Sequence, residues 1–188
     1  MIIYIHGFAS SGQGAKATLF REYFQDRGID FIAPSLSNVP ALALDTLEQL
    51  IESYIKLGEN VSLMGSSLGG FYSIYFSQKY KLKAVLINPS IFPYNTLSRV
   101  PSPMTNFYDG ASFEWREEHY EAFREYEIAD NEINQKNFML LLQTGDESLD
   151  YRHAAQKFKD ALLDIEEGGN HSYEGIERKF ETVLNFLY

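Results

Sequence analysis

The side chains with the most chemical promise are a serine, a histidine and one of two aspartates. Ser67 stands at the centre of Val61-Ser62-Leu63-Met64-Gly65-Ser66-Ser67-Leu68-Gly69-Gly70, where Gly65, Ser67 and Gly69 meet the pattern G-x-S-x-G and Ser66 fills a spacer position. In a sharp strand-to-helix turn, bulky side chains two residues to either side of the tip would collide as the chain doubles back. Glycine removes them. Such a turn also aims the first helical N–H groups, led by that of Leu68, at the place where a substrate oxyanion would form. A bare G-x-S-x-G arises by chance in on the order of 5% of chains of this length. Its surroundings carry the reading: an apolar run precedes it, and Leu68, Phe71, Tyr72, Tyr75 and Phe76 follow at helical spacing.

A serine at its free pKa is a poor nucleophile and needs a histidine base oriented by a carboxylate. His171 lies in Gly168-Gly169-Asn170-His171, a tight turn between the last strand and the last helix, on the same sheet edge as Ser67. It is the expected base, so turnover should fall in acid, where a histidine base is protonated. His6 follows the first strand and is better placed to shape an oxyanion loop. His119 and His153 fall on expected helices and read as packed or solvated residues. For the acid, Gln143-Thr144-Gly145-Asp146-Glu147-Ser148-Leu149-Asp150 offers Asp146 and Asp150 just past a strand. Either choice gives the chain order Ser…Asp…His.

The elements that must position these groups follow from hydrophobic periodicity. Apolar runs at residues 2–5, 29–33, 61–64, 83–87, 138–143 and 162–165 read as strands. Between them, Ala17, Phe20, Tyr23 and Phe24 mark one helix stopped by Gly28. Pro40 opens a second that carries Leu44, Leu47, Leu50, Ile51, Tyr54 and Ile55. Tyr151, Ala154, Ala155 and Phe158 mark another, and Ile176, Phe180, Val183, Leu184 and Leu187 the last. The alternation predicts an α/β fold in three layers, α/β/α, with a mostly parallel sheet of about six strands. A P-loop reading of the first strand and its loop fails, because Gln13 stands where the lysine must be. Residues 91–136 form a longer excursion, rich in aromatic side chains and in glutamate, and are expected to make a small helical cap on a single domain spanning 1–188.

Composition narrows the classes. A chain of 188 residues with 45% hydrophobic content suits one domain. A net charge of -10 argues against nucleic acid or an anionic membrane as partner, since either needs a basic face. With no cysteine there is no thiolate nucleophile or metal site, and no metal or cofactor is expected. The opening Met1-Ile2-Ile3-Tyr4-Ile5 lacks a basic region and is too short for a signal peptide, so a cytoplasmic location is expected. Oligomeric state is not legible.

Tyr4-Ile5-His6-Gly7-Phe8, Gly65-Ser66-Ser67-Leu68-Gly69-Gly70-Phe71, Asn88-Pro89, Gln143 to Glu147 with Asp150-Tyr151-Arg152, and Gly168 to His171 together resemble the YqiA-like bacterial esterases of the α/β-hydrolase superfamily, over nearly the full length. The resemblance implies a serine esterase acting on small carboxylic esters or thioesters. It implies a triad of Ser67, His171 and an aspartate between 146 and 150, and an oxyanion site from the N–H groups of Leu68 and Phe8. The chain departs from the family at Ser148, where an aliphatic residue is expected. Asp146 is the preferred acid, because the family carries Asp-x-aliphatic-aliphatic here and Asp146 leaves the strand end directly after Gly145. Asp150, the alternative, precedes Tyr151 and can cap a helix. An acyltransferase, a dedicated thioesterase or a binding protein on a hydrolase scaffold would share these parts. The cap should limit acyl chain length and its acidity should disfavour polyanionic leaving groups, so short to medium, neutral acyl esters are the expected substrates.

Overall fold

A computed structural model describes all residues, Met1–Tyr188. The chain alternates strands and helices as their patterns require: β1 (Ile2–Ile5), α1 (Ala15–Gln25), β2 (Phe31–Ile32), α2 (Pro40–Lys56), β3 (Ser62–Ser66), α3 (Leu68–Tyr80) and β4 (Ala84–Ile87). After an excursion come β7 (Phe138–Gln143), α6 (Tyr151–Lys157), β8 (Leu162–Glu166), a 3-10 turn Ile176–Lys179 and α7 (Phe180–Leu187). The six main strands form one sheet in the order β2-β1-β3-β4-β7-β8. Every neighbouring pair is parallel.

The continuous apolar runs are explained by burial on both faces. Along each strand, side chains alternate between two cores. Ile3, Ile5, Leu63, Leu86, Leu140 and Leu142 pack with α2, α3 and Phe158 on one side. Ile2, Tyr4, Met64, Val85, Ile87, Met139 and Leu141 pack with Phe20 and Phe24 of α1 and Val183 and Leu187 of α7 on the other. Helix α3 has almost no polar face because it is covered twice, by the sheet and by the excursion; Phe71, Tyr72, Ile74 and Phe76 are all buried.

The strand order reverses between β1 and β3. From β1 the chain moves outward to β2, and from β3 it moves the other way to β4. The crevice beyond the carboxyl ends of strands at such a reversal is where ligands bind in open α/β sheets. Ser67 and the Gly7–Phe8 loop both sit there. Two expectations are revised. The second strand is shorter than 29–33, because only Phe31 and Ile32 pair with β1 before the edge strand turns away. The excursion, residues 91–136, is only partly helical: α4 (Pro93–Thr96), α5 (Glu117–Glu121) and several 3-10 turns accompany an antiparallel ribbon of β5 (Met104–Thr105) and β6 (Ser112–Phe113). It packs through Phe123 on Phe71 and Tyr72 and through Tyr126 on Tyr75.

Candidate active site

The turn after β3 holds Ser67 at φ 54° and ψ -119°, a conformation that non-glycine residues rarely adopt. Its neighbours hold it there. The Ser67 N–H donates to the Ile87 carbonyl at 3.0 Å, and the Ser67 carbonyl accepts from Gly70 and Ser90, each at 2.9 Å. A Cβ on Gly69 would overlap the Ile5 carbonyl oxygen of β1, and one on Gly65 would overlap the Gly69 carbonyl. Glycine at these two positions therefore lets the helix start press directly against the sheet.

His171 reaches Ser67 across the crevice. Its Nε2 lies 3.0 Å from Ser67 Oγ, and its Nδ1 lies 2.8 and 3.0 Å from the two carboxylate oxygens of Asp146. An ionised carboxylate only accepts, so Nδ1 carries the proton and Nε2 presents its lone pair to the serine hydroxyl. Asp146 is itself fixed: its side chain is 2% exposed, and Oδ1 also accepts from the N–H groups of Ser148 and Leu149 at 2.9 and 2.8 Å. Asp150 lies apart from this chain of contacts. It accepts from the Arg152 N–H at the start of α6, and hydrogen bonds from the Arg152 side chain hold its carboxyl at about 2.

Two residues that sequence reading gave no role hold the histidine turn. Gln143, 1% exposed at the end of β7, accepts through Oε1 from the N–H groups of Asn170 (3.1 Å) and Glu174 (2.8 Å) and donates through Nε2 to the Glu174 carbonyl and to Glu166. Asn88, at the end of β4, accepts from the Gln143 N–H and donates to the carbonyls of Asn170 and His171. Gly169 runs at φ +73°, and a Cβ there would overlap the Gln143 amide, so the turn fits around that side chain. The only signal in the sequence was a polar residue closing each of two wholly apolar strands. Replacing Gln143 by Met keeps the length but leaves the Asn170 and Glu174 N–H groups unpaired, at a cost of about 1–3 kcal/mol each. Melting temperature and turnover should both fall in this variant; a rate and melt equal to the parent would remove Gln143 from the support of His171.

Facing Ser67 is the loop that leaves β1. His6 is buried, its Nδ1–H donating to the Gly7 carbonyl at 2.8 Å and its Nε2 accepting from the Leu36 N–H at 2.9 Å. Burial pushes its pKa down, against the opposing bond to Gly7, so it stays neutral and acts as a strut between two loops. Gly7 abuts Ser67, since a Cβ there would meet Ser67 Cβ at 3.2 Å. Next to it, the N–H of Phe8 has no protein acceptor, and neither does that of Leu68. The Phe8 ring is clamped by Trp115 at 4.6 Å and Phe113 at 5.8 Å between centroids, so the excursion braces this loop. Trp115 is fixed in turn by its Nε1–H bond to the Leu97 carbonyl at 2.9 Å.

These groups open onto a cavity of about 530 Å³, lined on its apolar side by Phe8, Leu68, Leu97, Val100, Phe107 and Leu149. None of the excursion's carboxylates lines it, so the expected preference for neutral esters has no carboxylate at the cavity wall behind it. Glutamates such as Glu114 and Glu118 face solvent and pair with Arg116. His119 packs on Trp115, and His153 lies beside Phe92, both away from Ser67. No three His, Asp or Glu side chains converge as a metal site would require.

The whole chain, residues 1–188, matches the family described as Uncharacterised protein family (UPF0227). Among curated relatives, the UPF0227 protein YcfP of Salmonella newport is 23% identical, across 99% of this chain and 98% of that protein. Among solved structures, Est1E from Butyrivibrio proteoclasticus bound to ferulic acid superposes with a TM-score of 0.77 at 15% identity, covering 98% of this chain and 86% of that one. The esterase domain of a Rhodothermus marinus protein gives 0.72 at 14% identity, covering 97% and 83%. These likenesses establish the α/β-hydrolase fold.

Proposed function

The chain belongs to the UPF0227 family, the group that its YqiA-like motifs resemble, and we propose that it is a serine esterase cleaving small carboxylic esters or thioesters through an acyl-enzyme. The observation that carries this reading is the continuous path Ser67 Oγ–His171 Nε2 at 3.0 Å and His171 Nδ1–Asp146 at 2.8 Å, beside two N–H groups with no protein acceptor. In the first half-reaction His171 Nε2 takes the Ser67 proton as Oγ attacks the acyl carbon. The carbonyl oxygen, now negative, is received by the N–H groups of Leu68 and Phe8, which are fixed before the charge appears. The imidazolium, held by Asp146, then gives its proton to the leaving group. Water repeats the sequence in reverse roles and frees Ser67. Acyl transfer to another acceptor would use the same acyl-enzyme.

A fluorophosphonate probe followed by mass spectrometry tests the nucleophile: Ser67 is the expected site of label, and a folded protein left unlabelled would favour a binding role for the scaffold. The substrate reading rests on the cavity volume, which is in the range of small-ligand sites. In a series of p-nitrophenyl esters, kcat/KM should peak at short to medium acyl chains. A steady rise through long chains would overturn this limit.

A further inference from the structure

The cavity over Ser67 has a charge character opposite to that of the protein around it. The chain carries 26 acidic against 16 basic residues, yet no carboxylate lines the cavity, and its one lysine or arginine is Lys16. Lys16 lies in the first turn of α1, half-buried. Its Nζ donates to the carbonyl of Ser172, the residue after His171, at 2.6 Å, and that is its only hydrogen bond. Burial pulls the ammonium down to about 8, an effect that the Asp146 carboxylate nearby opposes. Half-buried, in no ion pair and with one neutral acceptor, the ammonium keeps two donors free.

Other donors open onto the same space. Gly14, which precedes α1, provides no side-chain cap, and the N–H groups of the helix's first turn have no intrahelical acceptor. Gly14, Ala15, Lys16 and Ala17 all line the cavity. An ammonium and a helix start border a space that no carboxylate lines.

We propose that the cavity receives an ester or thioester that carries a carboxylate, and that Lys16 is the residue that selects it. This inference rests on the esterase reading of the same site. The carboxylate could belong to the acyl group or to the leaving group, and both place the same anion beside Lys16. The step is ordinary acyl transfer, with the anion unchanged throughout. Lys16 acts as a specificity residue.

The test compares two matched pairs of esters: mono-p-nitrophenyl adipate with p-nitrophenyl hexanoate, and 4-acetoxybenzoate with its methyl ester. The quantity read is the anionic-to-neutral ratio of kcat/KM in the parent and in Lys16→Met, which keeps the aliphatic stem. In one pair the ratio should fall on the order of 10- to 100-fold, the worth of a charge-assisted hydrogen bond. The pair that responds identifies which side of the scissile bond holds the anion. A ratio unchanged in both pairs, with all rates falling together, would overturn the inference and leave Lys16 as a brace for the His171 turn. Binding separates this outcome from a failure of the esterase reading. In a Ser67→Ala background, calorimetric titration with monomethyl adipate and dimethyl adipate, and with benzoate and methyl benzoate, should show tighter binding of one anion that Lys16→Met removes. If no ester is hydrolysed but this difference persists, the esterase reading falls and the anion site stands. Equal binding of both members of each pair would overturn the anion site itself.

Discussion

Ser67→Ala should lower ester turnover by on the order of 10⁶ with the fold retained. The hydroxyl's hydrogen bond is to His171 Nε2, so its loss removes no packing and leaves the backbone bonds of the turn in place. Alanine bears the same left-handed φ as serine there, so little change in melting is expected. Ser66→Ala is the matched control. Ser66 is the last residue of β3, buried and in register with Ile87, and the hydrogen bond to His171 Nε2 is made by Ser67 and not by Ser66. It should keep most of its activity. If both variants were equally inactive, the nucleophile would be misassigned by one residue.

Asp146→Asn should be the second large effect, a fall in turnover on the order of 10³ to 10⁴. The reason is the tautomer. Asp146 receives the proton of His171 Nδ1 while its Oδ1 also accepts from Ser148 and Leu149. In the asparagine variant the oxygen remains on those two N–H groups, and the amide NH₂ turns toward Nδ1. The imidazole must then accept at Nδ1 and carry its proton on Nε2, where it can no longer take one from Ser67. Asp150→Asn should behave differently, because that residue is partly exposed, caps α6 and pairs with Arg152. A modest drop in melting temperature with nearly unchanged turnover is expected. A stable but inactive Asp150→Asn beside an active Asp146→Asn would exchange the two assignments.

Much of this site could be read from local pattern. Ser67 is marked by the two glycines that its turn requires, and those glycines lie within a few residues of it. His171 is marked by the Gly168-Gly169 turn, since both glycines take positive φ. Strands buried on both faces announce themselves as unbroken apolar runs. Gln143 and Asn88 were visible only as polar residues at strand ends, because their partners lie far along the chain and are set by the sheet order. Lys16 gave no signal at all: a lysine in the first turn of an amphipathic helix reads as solvated until the loop carrying Ser172 is folded over it. The glutamates of the excursion misled for the converse reason. Composition does not say which way a side chain faces, and these face solvent. The edge strand β2 was overextended because an apolar run continues past the point where its single neighbour stops pairing.

The all-parallel sheet has a kinetic consequence. Parallel strands cannot be joined by hairpins, so each pairing closes a long loop. The contacts that build the site are longer still: Gln143 and Asn88 are 55 positions apart, Asn88 and Asn170 82, and Ser67 and His171 104. Helices such as α2 gain their backbone bonds locally and can form early, whereas contacts of this range must await closure of the intervening chain. During refolding, helical signal should therefore return before catalysis does. Ser67 and His171 meet only when the turn after β8 has docked against Asn88 and Gln143, so on the proposed function turnover would measure completed tertiary structure.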